Sequence, residues 1–208
     1  MKEKSAHRNV VKLLSLIVTL SALLVIIGWI FDIFLLKSIS SAWISMKFDT
    51  AVAFFLSGIT LYYILRAEEG AYDLAQVAIF ITSLIISLFM GVLFFSALFG
   101  VNMGLEDLFI KEAVPAVKTV FPGRPSLPTM LNFLLIVLAG VLTITKARNL
   151  SLKLRLIGFI ISLIGIAAIC GYAINLPPLY YYITDISSAM AFGAAVLFVF
   201  LGIGLICL

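Results

Sequence analysis

Few side chains in this sequence can do covalent or acid–base chemistry, and those few are poorly placed for it. Its 208 residues include a single histidine, His7, in a basic N-terminal stretch. A catalytic triad, a histidine metal site or a phospho-accepting histidine inside a packed domain each needs an imidazole that the rest of the chain does not supply. His7 reads as a solvated residue near lipid headgroups. Cys170 and Cys207 both lie within apolar runs, where neither spacing nor setting suits a zinc site or a disulfide framework. No glycine-rich loop joins a strand to a helix, so no phosphate cradle of the familiar kind is present. The sequence reads as a non-enzyme, with no cofactor and no metal expected.

The polar groups that remain fall into two sets. Asp32, Asp49, Asn102, Tyr172 and Asn175 gather near one side of the apolar segments and form a candidate ligand pocket. Lys37 and Lys47 are close enough in sequence to pair with the two aspartates. Asn132 lies deep in an apolar run, and the expectation is that it hydrogen-bonds a neighbouring helix, with a ligand contact as the minority reading. Ionisable residues deep in a bilayer mark ion or proton paths. This chain has almost none, only uncharged groups such as Ser57, Thr82, Ser83 and Ser87, which counts against a proton-coupled transporter or a cation channel.

The elements that must hold these groups are membrane helices. The chain is 63% hydrophobic and 12% charged, with mean hydropathy +1.24, too apolar for a soluble domain of this length. A span needs roughly 20 mostly apolar residues, and six runs qualify: 11–35, 48–65, 74–100, 128–145, 154–174 and 187–208. Helices are expected throughout, because isolated strands leave backbone groups unpaired in lipid. The first run also has the basic flank of a signal peptide, but it is too long for an h-region and lacks a clean cleavage site. Net charge is +4 with dispersed basic residues, which argues against nucleic-acid binding.

Basic residues set the orientation. With the N-terminus inside, nine of the 14 Lys and Arg lie inside and five outside (Lys37, Lys47, Lys111, Lys118 and Arg124), so both termini are expected in the cytoplasm. Asn149-Leu150-Ser151 then lies inside, and its match to a glycosylation sequon reads as chance. The outer segment 101–127 contains Leu105, Leu108 and Phe109 at helical spacing, then Pro122, Pro125 and Pro128. It reads either as a surface helix covering a cavity or as a plain connector. Outer aromatics such as Trp29, Trp43, Tyr172 and Tyr180 read as an interfacial belt, with a lined pocket as the alternative.

The even-numbered runs share a register. Met46, Phe48, Ala51, Val52 and Phe54 align with Met190, Phe192, Ala195, Val196 and Phe198, and Gly58 falls opposite Gly202. Thr129 and Phe133 align with Thr50 and Phe54. The odd-numbered runs end alike, with Trp29 three residues before Asp32, Phe99 before Asn102 and Tyr172 before Asn175. The fold class expected is therefore an all-α membrane protein of six helices, built as three tandem, parallel-repeat hairpins in one domain, 1–208. Inverted repeats of the transporter kind are absent.

The same pattern carries a resemblance. Phe48-Asp49-Thr50-Ala51-Val52-Ala53-Phe54-Phe55-Leu56-Ser57-Gly58 resembles the "NTALxFLLLG" helices in the N-terminal membrane domains of many prokaryotic sensor histidine kinases and diguanylate cyclases. Pro122-Gly123-Arg124-Pro125-Ser126-Leu127-Pro128-Thr129 is similar to their "PGRMSPNT" segment, although Pro125, Leu127 and Pro128 depart from it. Asn102-Met103-Gly104-Leu105-Glu106-Asp107-Leu108-Phe109 is similar to "GIDLGIDxLLF", and Gly171-Tyr172 with Pro178-Leu179-Tyr180 to "GYLYGxxALY". The resemblance runs from Asp49 to Leu208. It implies a sensor module in a prokaryotic cell membrane, homodimeric in full-length form, with a cytoplasmic output domain following Leu208. The apolar ending Gly202–Leu208, with no polar tail, fits a domain cut from a longer chain. The competing classes are a small transporter or channel for apolar or uncharged solutes, and a structural membrane anchor.

Overall fold

The computed structural model describes residues 2–38, 40, 43–100, 119, 123–182 and 188–208, with backbone alone over 2–5. The described residues are helical and contain no strand. In chain order the helices are α1 (Lys2–Ile30), the single turn α2 (Phe34–Lys37), α3 (Phe48–Glu68), α4 (Tyr72–Phe99), α5 (Leu127–Ile144), α6 (Leu150–Ala173) and α7 (Phe192–Ile206). A short 3-10 turn, Pro177–Tyr180, lies between α6 and α7.

Five segments are long and apolar enough to cross a membrane: Ala6–Ile30, Phe48–Glu68, Tyr72–Phe99, Leu127–Ile144 and Leu150–Ala173. The sixth expected span, 187–208, contains a helix of 15 residues. At 1.5 Å per residue it covers about 22 Å of a hydrocarbon core of roughly 30 Å. The first expected span is also corrected at its end. Residues 31–35 are apolar, but α1 stops at Ile30 because Asp32 takes a left-handed backbone (φ 55°) and the chain folds back on itself.

Two layers make up the bundle. The inner helices α3, α5 and α7 each start from a residue in extended backbone: Lys47, Ser126 and Ala191. Seven residues into each helix from that start stands a phenylalanine, and the three rings close on one another. Phe54 and Phe133 are 4.8 Å apart between centroids, Phe54 and Phe198 4.6 Å, and Phe133 and Phe198 5.0 Å. All three are fully buried. The outer helices fill the flanks: α1 packs on α3 and α7, α4 on α5 and α3, and α6 on α7 and α5. Their outward faces carry exposed Leu13, Leu16 and Leu20, then Phe80, Leu84 and Leu88, then Leu156, Phe159 and Leu163. Apolar stripes of that extent suit hydrocarbon, not water, and this is the exterior of a membrane-embedded protein.

The helices pair as α1–α3, α4–α5 and α6–α7, and the first and third pairs are tied alike at one end. Trp29 Nε1 donates to the Met46 carbonyl at 2.8 Å, and Tyr172 OH donates to the Met190 carbonyl at 2.8 Å. The Met46 and Met190 amides in turn donate to the carbonyls of Lys37 and Tyr180, each at 2.9 Å. Gly28 and Gly171 let the chain double back, since a β-carbon on either would stand 2.6 Å from the Cβ of Leu36 or Leu179. At the other end Tyr72 OH donates to the last carbonyls of α5, Thr143 (3.1 Å) and Ile144 (2.9 Å), and Lys12 pairs with Glu69 at 3.1 Å.

Two predictions follow from these contacts. Phe54→Ala, Phe133→Ala and Phe198→Ala should each cost about 3–5 kcal/mol of stability, as for large aromatic truncations in packed cores, whereas Phe99→Ala on the exposed surface should be near neutral; thermal unfolding in detergent reads both. Burial would raise the Glu69 pKa, but the bonds from Lys12 and Arg66 outweigh it and hold it below the ordinary value of 4.5. A depressed carboxylate adds stability above its unfolded pKa that is lost as pH falls through the folded one. Glu69→Gln should therefore flatten the acid side of a melting-temperature profile below pH 4.5.

Candidate functional site

A cavity of about 320 Å³ opens between α1 and α7. Ser21 and Val25 of α1 form one wall, Gly193, Val196, Leu197 and Phe200 of α7 the second, and residues of the segment 35–46 the third. Its aromatic edge is braced from behind. Trp43 meets Phe192 at 4.8 Å and Tyr172 at 5.1 Å, and Tyr172 stacks on Tyr180 at 4.3 Å. Among the described residues Lys37 is the one charged residue on the lining, and its Nζ bonds Asp32 Oδ1 at 2.5 Å while standing 4.8 Å over the Trp29 ring. The hydrogen bond and charge of Lys37 hold the Asp32 carboxyl below its ordinary range.

A second void between α3 and α4 is lined by Asp49, Val52, Ala53 and Leu56, facing Ile85, Ile86 and Phe89. Counted from Phe54 and Phe198, these four α3 residues hold the register positions of Gly193, Val196, Leu197 and Phe200. The two spaces are thus counterparts, yet this one measures about 10 Å³. Asp49 stands where α7 has only the hydrogen of Gly193, and Phe89 fills the opposite side. The same register places Asn132 on α5 where Ala53 and Leu197 stand. Asn132 is fully buried, and neither end of its amide has a hydrogen-bond partner among the described residues. The expected bond to a neighbouring helix is not formed among the described residues.

The expected pocket residues do not converge on one space. Tyr172 stands behind the cavity's aromatic edge. The Asp32 side chain is 93% exposed and reaches the site only through Lys37. Asp49 is buried at the small void. Asn175 is an exposed turn residue with φ 54°, the counterpart of Asp32 in the second connector. Asn102 and most of 101–127 lie outside the described residues; of that segment, Arg124 is buried and donates to Ser96 Oγ at 3.1 Å. Trp43 is among the aromatics for which the sequence offers a lined pocket as the alternative, whereas Lys37, Phe192 and Phe200 carry no such expectation. The signal was present in the opposition of Asp49 to Gly193 in the aligned helices. The chain matches no family model, and no curated protein or solved structure is significantly similar to it.

Leucine stands at the Asn132 register in α7, so the shape is compatible there. Asn132→Leu should raise stability by about 1–3 kcal/mol, the penalty for burying unpaired polar atoms, measured by thermal unfolding. A fall in stability would show that the amide is satisfied by a buried water or another partner.

Proposed function

We propose that the chain is the input module of a membrane signalling protein, with the α1–α7 cavity as its ligand site and α7 as the element that responds. The observation that carries this reading is the inequality of the counterpart interfaces. One holds a ligand-sized cavity at the lower end of the range seen for small-molecule sites, its α3–α4 counterpart is closed, and the open one borders α7. Five residues of α7 face the cavity, counting Phe192, while Phe198 on another face locks into the inner triangle. A molecule in the cavity therefore bears on a helix that is packed tightly enough to transmit displacement rather than absorb it.

The finer architecture in this reading is six crossings in three tandem hairpins. The paired hydrogen bonds at Trp29 and Tyr172, the coincident turns at Asp32 and Asn175, and the phenylalanine triangle support it. The buried extended stretch 188–191 adds length before the short α7. Basic asymmetry supports cytoplasmic termini in a prokaryotic cell membrane. The order of sequence motifs supports an output of the histidine kinase or diguanylate cyclase kind beyond Leu208, in a homodimer; the comparisons add nothing to that assignment.

Filling the cavity by mutation tests the coupling without a known ligand. A spin label on Leu13→Cys and another on native Cys207, in a Cys170→Ser background, report the α1–α7 separation. Adding Gly193→Leu should shift that distance by about 1–2 Å, the scale of signalling helix displacements. An unchanged distance would contradict the coupling. In liposomes the protein should give no ion or solute flux above empty vesicles, since no charged side chain partners an ion at mid-bilayer. Flux abolished by substitution of Asn132 would favour a carrier or channel instead.

A further inference from the structure

We infer that the α1–α7 cavity binds one uncharged, single-chain amphiphile of medium length, such as a fatty alcohol or a neutral lipid fragment, with its polar end beside Lys37 and Ser38. This inference rests on the cavity being the ligand site of the module. It goes further by fixing the size, shape and charge of what enters.

Size comes first. An apolar cavity of about 150 Å³ stays dry and takes benzene. The present space, about 320 Å³, is roughly twice as large and so suits about twelve non-hydrogen atoms. The lining is mostly aliphatic and aromatic, from Val25, Leu36, Ile44, Val196 and Phe200, so those atoms are mostly hydrocarbon. Two of the lining polar residues lie together on the connector: Lys37 and Ser38 are adjacent, and the Ser38 hydroxyl bonds the Ser40 carbonyl at 2.8 Å, while Ser21 stands apart on α1. An amphiphile with its polar end at the Lys37–Ser38 pair, where the one charged group and a hydroxyl adjoin among the described lining residues, matches that arrangement.

Charge follows from the Asp32–Lys37 pair. The ammonium of Lys37 is already neutralised by a carboxylate at 2.5 Å and rests against the Trp29 ring. An anionic head would have to displace Asp32, and a cationic head would enter an apolar space beside an ammonium with no free counter-charge among the described lining residues. A neutral hydroxyl or carbonyl needs neither exchange, because an ammonium has three donors and only one is engaged by Asp32. The ligand is therefore neutral at its polar end.

Both tryptophans of the chain flank this site: Trp43 on the lining, and Trp29 under Lys37. The full chain in nanodiscs is titrated with 10-bromodecan-1-ol, whose bromine quenches tryptophan on contact. Wild type should show saturable quenching above the linear background of partition into lipid, and unbrominated decanol should relieve it. Gly193→Leu should weaken the saturable component at least tenfold. Gly193 faces the cavity, and a β-carbon there would meet only the flexible end of Met46, at 3.4 Å. The permanently anionic 10-bromodecyl sulfate should bind at least tenfold more weakly than the alcohol. Quenching that is linear and indifferent to decanol would overturn the site, whether or not the variant folds. Tighter binding of the sulfate would overturn the neutral ligand class. Saturable binding of the alcohol with an unchanged α1–α7 label distance would leave the binding site standing and remove only the signalling reading.

Discussion

The closed triangle of Phe54, Phe133 and Phe198 is the contact on which the rest of the bundle depends. Lipid tails are as apolar as leucine, so hydrophobic transfer does little to hold membrane helices together, and close packing must do it. Three aromatic rings with centroids within 5.0 Å of one another provide such packing at one depth, from three helices at once. They set the mutual height of α3, α5 and α7. Each outer helix then lies in a groove between two inner ones, and its remaining face is left to lipid. Small residues let the pairs close: a β-carbon on Gly58 would run into Thr19, and one on Gly202 into Ser162 and the Gly158 carbonyl.

The cavity follows from the same geometry. Once the inner helices share a height, the α1–α7 and α3–α4 interfaces present the same register to their outer partners. What differs is the side chains at that register. Asp49 and Phe89 occupy the α3–α4 space, whereas Gly193 leaves the α1–α7 space open. A glycine in the first turn of α7, opposite Met46, is thus the local reason that one interface of the bundle can admit a molecule. The connector adds the aromatic edge at Trp43 and the charge of Lys37, already balanced by Asp32.

Much of this was legible in the sequence because membrane helices write their length as uninterrupted apolar runs. The register of Phe54, Phe133 and Phe198 marked three residues for equivalent depths, and their rings do lie together. The ends of the runs were less legible. Residues 31–35 are as apolar as the helix before them, and only the backbone reversal at Asp32, required for Leu36 to sit on Gly28, ends α1 there. The 187–208 run was read as a full span for the same reason, although its helix begins only at Phe192. The site was the least legible part. Aspartates and asparagines attracted attention as ligand groups, yet Asp32 and Asn175 serve turns, and the cavity is formed by the absence of a side chain at Gly193. Asn132 reads from sequence as a hydrogen bond to a neighbouring helix, and spacing alone gives no sign of an amide without a partner among the described residues.

Xenon pressurisation of crystals of the full chain tests the central claim, that the α1–α7 interface is open and its α3–α4 counterpart closed. Xenon enters dry apolar cavities and is seen directly by its anomalous scattering. The account predicts density between α1 and α7, bounded by Trp43, Val196 and Phe200, and none between α3 and α4 beside Phe89. Equal occupancy at both places, or none beside Gly193, would contradict it.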